Sequence, residues 1–258
     1  MRLLFIGDVV GAPGRRMVQE HLPRLIEEER VDFTVANGEN AANGFGINRR
    51  AFEELHACGV DCLTMGNHTF DNKDIYNFID REPALLRPAN YAPGVPGCGC
   101  RVYPVLGKRL RVINLIGRVF MGPADCPFRA LDALLAEEEA EWTLVDMHAE
   151  ATSEKVAMGW YCDGRVSAVV GTHTHVPTAD ARLLHRGTGY VTDAGMTGPR
   201  DSVLGVEREI ILERFRTGFS PRFETASGDL QFNSVLFDLQ DDGSCSKVRR
   251  LDLWQPSL

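Results

Sequence analysis

Hydrophobic and polar positions follow one another in a repeating order that is clearest over the first two-thirds of the chain. A short apolar run, typical of a buried strand, is followed by a polar or glycine-rich segment and then by an amphipathic stretch. In residues 15–30 the apolar side chains recur close to every third or fourth position, which predicts a helix. Strands that alternate with helices predict an α/β fold, with a parallel or mixed sheet covered by helices on both faces.

The same pattern places the individual elements. Strands are predicted over apolar runs at residues 3–6, 32–36, 60–65, 111–115, 143–147 and 166–170. Helices are predicted over residues 15–30, 49–57, 71–79, 130–140 and 151–161, and Asn48 is a candidate cap for the second of them. Residues 189–192, 233–238 and 247–253 predict β-hairpins and returning strands, while the Pro- and Gly-rich residues 88–104 and residues 218–228 are candidate lids or edge loops.

Composition and length fit a globular protein that needs no metal in order to fold. The chain has 258 residues, of which 44% are hydrophobic and 25% are charged. A chain of this size buries most of its apolar surface without disulfides or metal ions, so a metal here would serve chemistry. No segment resembles a domain linker, and we predict a single domain over residues 1–258.

Charge and cysteine usage narrow the class of partner and the location. The net charge is −8, so the chain lacks the basic surface that duplex nucleic acid requires, although local metal ions could still attract a small phosphate ester. The seven cysteines are scattered without zinc-ribbon spacing, which favours reduced thiols in the cytoplasm. The apolar start of the chain is too short for a signal peptide, because Asp8 ends it, and no membrane span is predicted.

Potential metal ligands stand directly after five of the predicted strands. Ligands of open α/β sheets bind beyond the carboxyl ends of the strands, so loops that follow neighbouring strands converge on one place. Carboxylates, amide oxygens and imidazoles together suit Mn, Fe or Zn, and one carboxylate between two ions would hold them about 3.5–4 Å apart. The residues concerned are Asp8, Glu39 with Asn40, Asn67 with His68, His148, and His173 with His175.

Each of the first positions also has a purely structural explanation. Asp8 could cap the helix that begins near Gly14, and residues 11–14 favour a tight turn because they lack the Lys-Ser/Thr ending of a phosphate-binding loop. Glu39-Asn40 could form an Asx turn. A single histidine after a strand, as at position 148, is more often a hydrogen-bonded structural residue than a ligand.

Two histidine motifs resist such an explanation. They are Gly66-Asn67-His68 and Gly171-Thr172-His173-Thr174-His175. On extended backbone, alternate residues face the same side, so His173 and His175 are expected to point into one site. The glycine before each motif permits the sharp turn that would expose these side chains.

These motifs resemble the GNH and GHxH blocks of the calcineurin-like metallophosphoesterase superfamily. The chain is most similar to its bacterial YmdB-like branch, and the resemblance covers nearly the whole chain. Two departures from the broader superfamily are shared by this branch, namely Val10 in place of a histidine and Glu39 in place of an aspartate. The blocks that carry the branch resemblance are Gly7-Asp8-Val9-Val10-Gly11, Asn37-Gly38-Glu39-Asn40-Ala41-Ala42 and Thr192-Asp193-Ala194-Gly195-Met196-Thr197-Gly198.

The resemblance implies a layered fold of mixed β-sheets covered by helices, with a dinuclear metal site at the strand carboxyl ends. It implies iron or manganese, with zinc as an alternative, and 2′,3′-cyclic nucleotide phosphodiesterase activity. We expect a hydroxide that bridges the ions to attack phosphorus, while His68 protonates the leaving alkoxide without binding a metal. One ion would be held by Asp8, Glu39, Asn40 and His175, and the other by Glu39, Asn67, His148 and His173.

Three alternatives to this hypothesis remain open. The first is a phosphomonoesterase or protein phosphatase of the same fold, because the substrate loops carry no readable specificity signal. The second is a regulatory nucleotide-binding protein with a vestigial metal site, and the third is a protein with a purely structural metal. The expected partner is a small phosphodiester or nucleotide, not duplex nucleic acid or a membrane, and homo-oligomer formation is open.

Overall fold

The computed structural model describes residues 1–219 and 221–257. Its α-helices are α1 (Gly11–Glu29), α2 (Arg49–Ala57), α3 (Pro127–Glu137), α4 (Thr152–Cys162) and α5 (Arg208–Thr217), and two 3-10 helices span Lys73–Asn77 and Ile79–Arg81. Its strands are β1 (Arg2–Ile6), β2 (Asp8–Val9), β3 (Phe33–Asn37), β4 (Cys62–Thr64), β5 (Leu85–Leu86), β6 (Cys100–Val105), β7 (Lys108–Ile116), β8 (Trp142–His148), β9 (Ala168–Thr172), β10 (Arg182–Leu183), β11 (Gly189–Val191), β12 (Met196–Pro199), β13 (Leu230–Phe232), β14 (Ser234–Leu239), β15 (Cys245–Arg250) and β16 (Leu253–Gln255).

The strands are divided between two large sheets, a division that the hydrophobic pattern alone does not reveal. The first sheet has the order β15-β14-β1-β3-β4-β5, and the second has the order β10-β11-β9-β8-β7-β6. Within the first sheet β1, β3 and β4 run parallel, and within the second β7, β8 and β9 run parallel. A small sheet of order β16-β13-β12-β2 joins the end of β1 to the last part of the chain.

The two large sheets pack face to face, with helices on their outer sides. Alternate residues of a strand point to opposite faces, so in β1 Leu3 and Phe5 belong to the cluster between the sheets. Leu4 and Ile6 belong instead to the cluster under α1 and α2. A third cluster lies between the second sheet and helices α3 and α4. The expected layered α/β fold of mixed sheets is thus confirmed, as four layers in the order helix, sheet, sheet, helix.

Several element boundaries differ from those that the pattern predicts. Helix α1 begins at Gly11, so residues 11–14 form its first turn and not a separate tight turn. Gly and Pro are tolerated there because the first four N–H groups of a helix have no partner within it. The predicted helix at residues 71–79 is replaced by the 3-10 helices Lys73–Asn77 and Ile79–Arg81, and β6 begins inside the segment 88–104 that we expected to be a loop. Helix α5 was not predicted at all.

Other predictions concern the cap of α2, the extent of the domain and the membrane. Asn48 caps α2 as expected, because its side-chain oxygen accepts a hydrogen bond from the N–H of Ala51 at 2.8 Å. None of the described helices combines the length and the apolar character that crossing a bilayer requires. The prediction of a single domain over residues 1–258 stays a prediction.

Candidate metal centre

All eight candidate residues stand at or just beyond the carboxyl ends of parallel strands, and both large sheets contribute. Asp8, Glu39 and Asn67 follow β1, β3 and β4 of the first sheet. His148 ends β8 and His173 follows β9 in the second sheet. Because the sheets lie face to face, these two rows of strand ends meet, and the predicted residues gather at their junction.

The tightest cluster surrounds His148, which is fully buried. Its Nε2 atom lies 3.0 Å from Glu39 Oε1, 3.0 Å from Asn67 Oδ1 and 3.1 Å from His173 Nδ1. This ring nitrogen can donate only a single hydrogen bond, so it cannot satisfy both the carboxylate oxygen of Glu39 and the amide oxygen of Asn67. Ligand bonds of about 2.1 Å to one tetrahedral ion would place these atoms about 3.4 Å apart, close to the observed spacing.

A second group lies beside the first and is linked to it by Asp8. Asp8 Oδ1 is 3.7 Å from His175 Nε2, and Asp8 Oδ2 accepts a hydrogen bond from the backbone N–H of His173 at 3.3 Å. The side-chain nitrogen of Asn40 donates to the carbonyl of Gly44 at 2.9 Å, which leaves its oxygen available. The structure therefore brings the two predicted ligand sets together as neighbours.

Unpartnered oxygens test whether these residues fit a metal. Asp8 Oδ1, Glu39 Oε1 and Asn40 Oδ1 are buried and accept no hydrogen bond of good geometry within the described residues. A buried polar oxygen without a partner costs about 1–3 kcal/mol, so three of them in one place need an explanation. Bound cations would explain these oxygens, because carboxylate, amide oxygen and imidazole form a donor set for divalent ions such as Mn, Fe or Zn. The residues therefore fit the metals that the fold family implies.

Burial and the charges of neighbouring groups shift the pKa values of several residues in the cluster. Burial raises the pKa of Asp8 well above its ordinary value. Burial also disfavours the ionised form of Glu39, but the charge of His148 outweighs it and lowers the pKa of Glu39 to about 2. The pKa of His148 is correspondingly raised to about 9 against the effect of burial, chiefly by Glu39. Burial and the neighbouring His148 lower the pKa of His173 to about 3.

His68 lies at the rim of this cluster, beside a cavity that opens to solvent. Its backbone N–H donates to Glu39 Oε2 at 2.9 Å, and its Nδ1 lies 2.7 Å from Asp71 Oδ2. These two contacts fix both the backbone and the ring plane of the histidine. The cavity, of about 360 Å³, is also lined by Glu39, Asn40, His173 and His175.

The backbone of the second histidine motif is not extended, so our reason for pairing His173 with His175 was wrong. Strand β9 ends at Thr172, and φ is +95° at His173 and +64° at His175. These are left-handed conformations, which non-glycine residues adopt rarely. The two rings reach neighbouring positions through this tight loop and not through the alternation of a strand.

The glycines before the two motifs also act differently from our expectation. Neither Gly66 nor Gly171 has a positive φ, so neither supplies left-handed backbone. Their role is to leave space. A Cβ atom on Gly66 would lie 2.2 Å from His148 Nε2, and one on Gly171 would lie 1.8 Å from the carbonyl oxygen of Thr192. Gly66 therefore allows the ring of His148 to approach closely, and Gly171 allows the backbone of Thr192 to do so.

The structural explanations for the first positions are only partly correct. Asp8 does not cap α1, because the N-cap residue is Val10 and no side chain bonds to that helix end. Glu39 and Asn40 do lie in a turn, but both side chains are buried and directed to the cluster. His148 has a structural partner as well as a site contact, since its Nδ1 lies 2.9 Å from Thr172 Oγ1.

A buried ion pair behind the histidine loop was missed by the sequence analysis. Lys155 Nζ lies 2.6 Å from Asp193 Oδ2 and donates to the carbonyl of Thr172 at 2.9 Å. The same Asp193 oxygen accepts a hydrogen bond from the hydroxyl of Thr174 at 2.6 Å. Asp193 therefore holds the loop at the residue that separates the two histidines. The signal was available, because Lys155 shares one face of α4 with Met158 and Cys162 and so interrupts an apolar stripe.

Known proteins with similar sequences and folds exist. Residues 4–251 match a family model described as YmdB-like protein. A 2′,3′-cyclic-nucleotide 2′-phosphodiesterase from Bacillus subtilis is 53% identical over 93% of this chain and 92% of its own. A crystal structure of a hypothetical protein from Thermus thermophilus superposes with a TM-score of 0.95 at 47% identity, covering 99% of this chain and 100% of the other. A novel phosphatase from Mycoplasma pneumoniae superposes with a TM-score of 0.95 at 33% identity, covering 99% and 94%.

Proposed function

The chain belongs to the YmdB-like protein family, and from that premise we propose that it is a metal-dependent phosphodiesterase that hydrolyses 2′,3′-cyclic nucleotides. The family resemblance seen in the motifs is thereby confirmed. One observation carries the proposal: three unpartnered buried oxygens and an imidazole cluster face each other beside a cavity of about 360 Å³. A cavity of this size accommodates a small ligand. The Bacillus relative, by its name, supports the choice of substrate.

We assign the metal ligands as two sets that share Glu39. The ions are iron or manganese, with zinc as the alternative, because imidazole and carboxylate together suit these metals better than Mg²⁺ or Ca²⁺. When bound, they would lower the pKa of a water molecule and offset the negative charge that develops on the phosphoryl oxygens. The first set is Asp8, Glu39, Asn40 and His175, and the second is Glu39, Asn67, His148 and His173.

The proton donor to the leaving oxygen is His68 in this proposal. The contact between its Nδ1 and Asp71 leaves Nε2 as the nitrogen available to substrate. In this proposal Asp71 orients the ring through Nδ1, and the ring donates a proton from Nε2 to the alkoxide that leaves phosphorus.

The cellular location in this proposal is the cytoplasm. All seven cysteines are free thiols in the structure, and three of them, Cys62, Cys162 and Cys245, are buried. Free thiols are typical of proteins that work in a reducing compartment. This supports the location that the scattered cysteine spacing predicts.

The test of this function joins a metal analysis to a substrate screen. Anaerobically purified protein is expected to contain iron or manganese and to hydrolyse adenosine 2′,3′-cyclic phosphate faster than a nucleoside monophosphate. Failure of the metal-loaded protein to hydrolyse any cyclic nucleotide would overturn the proposal. Faster turnover of the monophosphate would favour a phosphomonoesterase.

The Glu39→Gln substitution tests the shared ligand. Metal content and turnover are expected to fall together while the circular dichroism spectrum stays that of the folded protein, because the only carboxylate assigned to both ions is lost. The control is Glu53→Gln, since Glu53 is exposed on α2 and its partner is Arg49, at 3.9 Å. Two tightly held ions and normal turnover in the Glu39→Gln protein would rule out the shared ligand.

A further inference from the structure

The cavity beside the candidate metal centre continues onto an apolar wall that the chemistry of phosphate does not need. Apart from the site residues it is lined by several separate segments, and the lining side chains include Phe45, Phe223 and Arg214. A pocket that only had to admit a phosphate group would gain nothing from aromatic rings. The wall therefore fits the part of a substrate that lies beyond its phosphate.

Phe45 and Phe223 form a pair of nearly parallel rings at this wall. Their centroids are 6.3 Å apart and their planes are inclined by only 21°. The similar orientation of the two rings offers flat apolar surface on which a planar ring can stack. Phe45 is 39% exposed, which leaves its ring accessible.

Phe45 also touches the proposed proton donor. The centroid of its ring is 5.1 Å from that of His68, in an edge-on arrangement. A group stacked on Phe45 would therefore lie next to the site of phosphate hydrolysis. In a nucleotide, one ribose separates the base from the cyclic phosphate, which suits this short separation.

Arg214 adds a planar cation to the same wall. Its guanidinium carbon lies 5.2 Å above the centroid of Phe223. Across the described ranges 1–219 and 221–257, no carboxylate lies within ion-pair distance of Arg214, so its donors remain available. Guanidinium groups stack on flat aromatic systems and donate hydrogen bonds to the ring nitrogens and carbonyls that nucleobases carry.

We propose that Phe45, Phe223 and Arg214 form a nucleobase subsite that binds the base of the substrate by stacking while its phosphate is held at the metal centre. This proposal rests on the proposed function and deepens it. The subsite is expected to favour substrates that carry a base over substrates that lack one. It should discriminate little among bases, because every base offers a flat face.

The test compares a substrate that has a base with one that lacks it. Adenosine 2′,3′-cyclic phosphate and glycerol 1,2-cyclic phosphate carry the same cyclic diester, and only the first carries a base. Phe45→Ala and Phe223→Ala are each expected to lower the ratio of kcat/KM between the two substrates about 5–150-fold, which corresponds to about 1–3 kcal/mol of stacking. The change should lie mainly in KM. Because the ratio is measured, a general disturbance of His68 cancels.

Matched variants separate stacking from simple apolar contact. Phe45→Tyr keeps a flat ring and should retain the ratio, whereas Phe45→Leu keeps apolar area without a flat ring and should lose it. Phe120→Ala is the control, because Phe120 is 88% exposed and lies outside the cavity. An unchanged ratio in both alanine variants, or equal behaviour of Phe45→Leu and Phe45→Tyr, would overturn the subsite and leave the phosphodiesterase activity in place.

Binding without turnover distinguishes failure of the subsite from failure of the proposed function. The affinities of adenosine 3′-monophosphate and glycerol 2-phosphate are measured by calorimetry on metal-loaded protein. A selective loss of the adenosine probe in Phe45→Ala supports the subsite even if the wild-type protein hydrolyses neither cyclic substrate, an outcome that would overturn only the proposed function. An equal loss of both probes contradicts the subsite.

Discussion

At the scale of single residues, the strain in the backbone of His173 and His175 has an identifiable support. Left-handed conformations at non-glycine residues cost about 1–3 kcal/mol each and persist only where the surrounding structure imposes them. Here the loop is held from behind by Lys155 through the carbonyl of Thr172, and by Asp193 through Thr174. The buried ion pair of Lys155 and Asp193 therefore stabilises the loop conformation that positions the two histidine rings.

Lys155→Met tests this support. Breaking a buried ion pair by removing one partner leaves an uncompensated charge, so the free energy of unfolding should fall by about 3–5 kcal/mol in metal-free protein. Lys108→Met is the control, because Lys108 pairs with Asp241, whose side chain is 87% exposed, and should change stability by at most about 1 kcal/mol. Chemical denaturation measures both. A Lys155→Met protein as stable as the control would contradict the assigned role.

His68→Ala separates proton donation from metal binding. We expect both ions to remain and turnover of a cyclic nucleotide to fall about 10²–10⁴-fold, the usual effect of losing a general acid. The loss should be smaller for bis(4-nitrophenyl) phosphate, because nitrophenolate leaves without protonation. Loss of a metal would instead make His68 a ligand, and equal slowing of both substrates would point to stabilisation of phosphoryl charge.

The sequence predicted which polar residues gather at the strand ends, but not the reasons for their arrangement. Asp8, Glu39 and His148 were found because each follows an apolar run. The left-handed loop at His173 depends on Asp193, which stands well beyond the motif in the sequence and contacts the loop only in the folded state. Asp71 was missed because it stands in a segment predicted as an ordinary helix.

At the scale of elements, the cap of α2 gives a direct test of a predicted boundary. Asn48→Ala removes the oxygen that accepts from the N–H of Ala51 and should lower the free energy of unfolding by about 1 kcal/mol. Asn48→Asp keeps an acceptor at this position and should leave stability nearly unchanged. Thermal and chemical denaturation of the wild-type protein and both variants would measure their stabilities. Equal losses of stability in the two variants would contradict the role of Asn48 as a helix cap.

Helices could be predicted where burial of one face gives the sequence a hydrophobic period, and could not be predicted where little of the helix is buried. Helix α1 buries a stripe that includes Met17, Leu22 and Leu25, and this stripe is visible in the sequence. Helix α5 buries only Ile211, and its other apolar residues stand next to it in the chain or face solvent. A helix that contributes so little to a core has no hydrophobic period from which it could be recognised.

At the scale of the whole molecule, removal of the metals should weaken the protein without unfolding it. The three core clusters exist independently of the ligands, so the chelated protein should stay folded at room temperature. An ion present at about 100 times its Kd adds about 2.7 kcal/mol, so chelation should lower Tm by about 5–10 °C. Calorimetry with and without chelator measures this shift, and Glu39→Gln should show little of it. Unfolding on chelation at room temperature would indicate a structural metal instead.

The division of the ligands between two sheets has a consequence for how the protein matures. The chain is synthesised from its amino end, and domains generally fold only once their segments are available. Asp8 and Glu39 emerge early, but His173 and His175 follow more than half the chain later, and β14, which pairs with β1, is made later still. No ribosome-bound fragment that ends before His175 contains the whole site. The proposed ligand sets are therefore completed only when the segment that carries His173 and His175 has been synthesised.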